Sequence, residues 1–92
     1  MTESVLNYQS VFIVPQSALE YFDRALDPYA SAMLMSLLEK GPDKGKWKIE
    51  VIFEGEPDRN ALQVTLAIAA LSAGIPEPKL DLMPVPKKNW LR

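Results

Sequence analysis

At 92 residues the chain has room for one small domain with a core of limited size. Lys and Arg number 10 against 12 for Asp and Glu, a formal charge of −2, so there is no cationic excess to neutralise phosphates, which argues against direct nucleic-acid binding. The absence of cysteine and histidine removes disulfides, thiolate metal sites, thiol nucleophiles and the commonest general base, and no apolar run approaches the roughly 20 residues of a membrane span.

The first seven residues, MTESVLN, are polar and unpatterned and read as a flexible tail. YQSVFIV, residues 8–14, is rich in aromatic and β-branched side chains and predicts a first strand closed by Pro15. Ser17 is then a candidate helix cap, with Glu20 three residues on and Leu19, Phe22 and Leu26 at helical spacing; Asp27-Pro28 ends this helix.

YASAMLMSLLEKG fits either period, since Ala30, Met33, Leu34, Leu37 and Leu38 satisfy a helix and Ala32, Leu34, Ser36 and Leu38 satisfy alternation. Propensity favours a helix and context a strand, because the GPDKGK turn cluster leads into WKIEVIFE, residues 47–54, the clearest strand in the chain. A lone strand needs a neighbour, and the expectation is a strand over residues 30–39.

Asp58 is a candidate cap for a second helix, in which Leu62, Leu66 and Ala69 form a stripe that Val64, Ile68 and Leu71 widen, with Gly74 as a left-handed stop. PKLDLMPV, residues 78–85, alternates Leu80 and Leu82 with Lys79, Asp81 and Met83, and Pro84 places this last strand at a sheet edge. The order βαββαβ predicts an α+β, ferredoxin-like split βαβ fold, a four-stranded antiparallel sheet with two helices on one face. Residues 8–86 would form this domain.

The stripe Trp47, Ile49, Val51 and Phe53 reads as core, and Met33 and Met35 as core filling. The opposite sheet face carries Lys48, Glu50, Ile52 and Glu54 with Lys79, Asp81 and Met83, mixed charges without the rings that stack RNA bases; Ile52 and Met83 mark a candidate protein-binding patch, with Lys48, Glu50 and Lys79 as its polar contacts. The carboxylates Asp23, Asp27, Asp43 and Asp58 fall where caps and turns explain them, and Gly41, Gly45, Gly55 and Gly74 form no phosphate loop. No catalytic, cofactor-binding or metal-binding residue emerges.

In order, WKIEVIFEGEPD, a helix closing in SAGIP, and EPKLDLMPVPKKNWLR resemble the amino-terminal domain of the PrmA family, methyltransferases of the large-subunit ribosomal protein eleven at the stalk base. The resemblance covers most of residues 8–92 and implies a non-catalytic substrate-recognition domain, joined to a catalytic domain that uses S-adenosylmethionine, in a cytoplasmic enzyme. It also implies that residues 87–92, with Lys87, Lys88, Asn89 and Trp90, begin an interdomain linker. Asn89 stands where the family pattern has an acidic residue, the loop between the middle strands is short and lysine-rich, and no catalytic domain lies within these residues. Two other classes compete: a stand-alone regulatory or small-ligand domain that pairs through a sheet edge, and a hydrolase of acylphosphatase type. The second lacks the required loop, because Arg24 and Arg59 lie in or beside helices.

Overall fold

The computed structural model describes residues 7–85. Its elements run β1 (Asn7–Val14), α1 (Gln16–Leu26), β2 (Ala32–Leu37), β3 (Trp47–Glu54), α2 (Arg59–Ala73) and β4 (Met83–Val85). The strands form one antiparallel sheet in the order β2-β3-β1-β4, so each helix connects two strands that have a third between them. This is the α+β, ferredoxin-like arrangement that the element order predicts. The linker residues expected at 87–92 lie outside the described residues.

Alternation in β3 decides which way the sheet faces. Ile49, Val51 and Phe53 are fully buried, and the register places Phe12 against Ile49 and Ser10 against Val51 on the same side. Ala18, Phe22 and Leu26 of α1 and Leu62, Leu66, Ala69 and Ala70 of α2 close that side into one core, where the Phe12 and Phe22 rings sit 6.3 Å apart and tilted. Met33 and Met35 pack on its margin, as expected of core-filling thioethers.

The ambiguous segment is a strand because its neighbour makes it one. Leu38 N–H donates to the Lys46 carbonyl and Gly45 N–H donates back to Leu38, closing a hairpin that lays β2 along β3. Gly45, at φ 89°, takes the backbone conformation this return needs. The burial of Met33 and Met35 then outweighs the segment's helical propensity.

α2 begins and ends as its sequence indicates. Asp58 accepts a hydrogen bond from Ala61 N–H at 3.2 Å, and Gly74, left-handed at φ 74°, directs its N–H to the carbonyls of Ala70 and Leu71.

Three expectations are corrected. Helix α1 starts at Gln16 with extended Pro15 as its cap residue and no side-chain cap, so Ser17 lies inside the first turn, and Glu20 instead pairs with Arg24 at 2.8 Å. β4 is three residues long rather than eight: Ser10 Oγ donates to the Asp81 carbonyl, and Leu80 and Leu82 pack against the core instead of continuing the ladder. Val64, Ile68 and Leu71 do not widen the buried stripe of α2; they face outward, 58, 59 and 81% exposed.

Candidate functional site

One face of the sheet carries the helices and the other carries none. Antiparallel register sorts the open face into rows that run across the strands. Ala32, Ile52, Gln9 and Met83 form one row, Leu34, Glu50 and Val11 the next, and Ser36, Lys48 and Ile13 a third; Glu54, Asn7 and Val85 close the end. The other three strands therefore place aliphatic side chains, Leu34, Val11, Ile13 and Met83, around the charges of β3.

The chemistry of this face is mostly aliphatic. Leu34 is 60% exposed, and Val11, Ile13 and Met83 are also exposed, with Ile52 half-buried among them. Lys48 and Glu50 lie on the same face of β3 with Nζ and Oε2 3.8 Å apart, so the two central charges offset one another. A shallow hollow of about 260 Å³ opens between Gln9, Ala32, Leu34, Glu50 and Ile52. No aromatic ring of the described strands points to this side, since Tyr8, Phe12, Trp47 and Phe53 share the opposite parity.

Of the residues singled out in sequence, Ile52 and Met83 occupy one row, separated by Gln9, while Lys48 and Glu50 belong to the two adjoining rows. Lys79 is placed apart, exposed in the segment before β4 and outside the sheet. Sequence reasoning missed Val11, Ile13 and Leu34. The signal was the hairpin itself: once Leu38 pairs with Lys46, even-numbered residues of β2 fall opposite even-numbered residues of β3, which puts Leu34 beside Glu50.

A second apolar surface lies on the helical side. Val64, Ile68 and Leu71 follow the spacing of one helix face, and a hollow of about 280 Å³ between α1 and α2 is lined by Tyr21, Arg24, Thr65 and Ile68. Between Arg59 and Glu77 the sequence holds no charged residue. Among the described residues, the side-chain amide of Asn7 and the indole N–H of Trp47 are buried without a hydrogen-bond partner.

Among the described residues no cluster of acidic, histidine or cysteine side chains is arranged to hold a metal ion, and no helix is long and apolar enough to cross a membrane. No family model, curated protein or solved structure matches the chain.

Proposed function

We propose that this domain is a protein-binding module and that its open sheet face is the surface that holds the target. The observation that carries this reading is the set of aliphatic side chains on this face, exposed Leu34, Val11, Ile13 and Met83 with half-buried Ile52, among which the central charges Lys48 and Glu50 offset one another. Apolar surface of this kind, with its few charges offset by one another, is what a polypeptide partner covers. The hollow on this face, at about 260 Å³, falls short of the roughly 300–1,000 Å³ of typical small-ligand pockets, so the face suits a polypeptide better than a metabolite.

The resemblance to the PrmA amino-terminal domain supplies the identity of the partner in this proposal: the large-subunit ribosomal protein at the stalk base. The domain would hold that protein for a tethered, S-adenosylmethionine-dependent catalytic domain of a cytoplasmic enzyme. Docking of this sort raises the effective concentration of target amines at the catalytic site.

The experiment is direct. Replacing both Ile52 and Met83 by Asp puts two carboxylates into the same row of the face without touching the core. Binding to the ribosomal protein, followed by calorimetry, should weaken at least tenfold, on the scale of losing about 1.4 kcal/mol. Unchanged affinity would remove this face from the reading, and no affinity in the parent chain would remove the partner.

A further inference from the structure

We infer that two copies of this chain pair through β2, antiparallel about a two-fold axis at Met35, so that their sheets join edge to edge. The two edges of the sheet, β2 and β4, differ in kind.

Leu38 N–H donates to Lys46 and Ser31 N–H donates to Ile52, so the even-numbered residues of β3 direct their backbone groups toward β2. Alternation along an antiparallel ladder then turns Ala32, Leu34 and Ser36 inward to β3, and turns the N–H and C=O groups of Met33, Met35 and Leu37 away from it. Those outward groups have no neighbour in the described sheet, because β2 is its edge. The strand AMLMSL holds neither a charge nor a proline, the usual devices that keep an edge from pairing.

The opposite edge has such a device. Tyr8 pairs with Phe53 and directs its backbone toward β3, so Pro84, opposite Tyr8, faces outward. Proline has no N–H to offer there, and β4 is only three residues long. A sheet with one open and one blocked edge forms a closed pair and does not grow into a filament.

A second copy fits the open edge better than a strand of unrelated sequence. With Met35 on the axis, Met33 meets the partner's Leu37 and Met35 meets the partner's Met35, each pair exchanging two backbone hydrogen bonds. Leu37, now 46% exposed at the margin of the core, gains an apolar neighbour, and Leu34 comes beside the partner's Ser36. No charge meets its like, since Glu39 falls opposite the partner's Ser31 and Lys40 opposite the partner's Ala30. The pairing leaves the open sheet face uncovered and joins it to that of the partner.

The full chain supplies the test, and it is independent of target binding. Sedimentation equilibrium should give twice the 10.3 kDa chain mass at high concentration. Met35→Pro removes an outward N–H without breaking a bond to β3, and Leu37→Lys adds an edge charge; both should return the chain to 10.3 kDa while circular dichroism stays native. As the chain has no cysteine, Met35→Cys under mild oxidation should give a disulfide-linked dimer, because paired Cα atoms about 5.5 Å apart suit that bond, whereas Met83→Cys on the blocked edge should not. The cross-link decides the matter if Met35→Pro does not fold. A 10.3 kDa species at every concentration up to millimolar overturns the inference, even if the edge takes up a foreign strand peptide. So does a dimer that cross-links through position 83, or one that Ile68→Lys dissociates while Met35→Cys fails to link it.

Discussion

Asn7 shows how one residue can work against the fold that holds it. It is 0% exposed, on the open face between Glu54 and Val85, and neither atom of its amide finds a hydrogen-bond partner. A buried polar group left unsatisfied costs about 1–3 kcal/mol, so Asn7→Val, which fits a strand and removes both orphaned atoms, should raise the unfolding free energy by about that amount in urea titration. A loss of stability would mean that the amide has a function in the fold that geometry does not reveal. Nothing in the sequence marks this burial, because Asn7 stands at the end of a polar run that reads as a tail, whereas the structure makes it the first residue of β1, paired with Glu54 and Val85.

At the scale of elements, α2 separates what periodicity can and cannot tell. Leu62, Leu66 and Ala69 are spaced for one face, but Val64, Ile68 and Leu71 are equally apolar, and a helix with apolar residues nearly all round does not announce which side is inward. The sheet that α2 covers makes that choice. Two neighbouring substitutions measure it: Leu66→Ala should cost about 2–5 kcal/mol, as burial predicts, while Ile68→Ala, at an exposed site, should stay within about 0.5 kcal/mol in thermal or urea unfolding. Equal losses would place the outer stripe in contact with something that the described residues do not include.

β2 is the contrary case. Its own residues support two periods, and the strand became legible only from the turn cluster and the neighbouring alternation of β3. What the sequence concealed was register, and with it the apolar side of the open face. YQSVFIV is apolar on both sides of its pleat, so Val11 and Ile13 look like core until Phe12 is seen to pair with Ile49. The caps of α2 were readable because a capping carboxylate and a left-handed glycine are local features. The late entry of the chain into β4 was not, since Asp81, just before it, is held by Ser10, 71 residues away in sequence.

For the whole molecule, the balance of charge sets how a partner is recognised. With a net charge of −2 and Lys48 and Glu50 held by one another, the association proposed for the open face would rest on apolar contact and not on long-range attraction. Its dissociation constant should therefore change little between 50 mM and 200 mM salt, a range over which a protein held by many phosphate contacts loses about 10³–10⁵ in affinity. A steep salt dependence in calorimetry would replace the aliphatic patch with an electrostatic one as the source of affinity.

The pairing of Asn7 with Val85 places the first and last described strands side by side at one corner of the sheet. A host polypeptide that entered and left through that corner could carry the domain as an insert in a surface loop, closing the loop at little entropic cost. Such a graft would leave the aliphatic rows and the β2 edge pointing into solvent, available for use as a detachable adaptor.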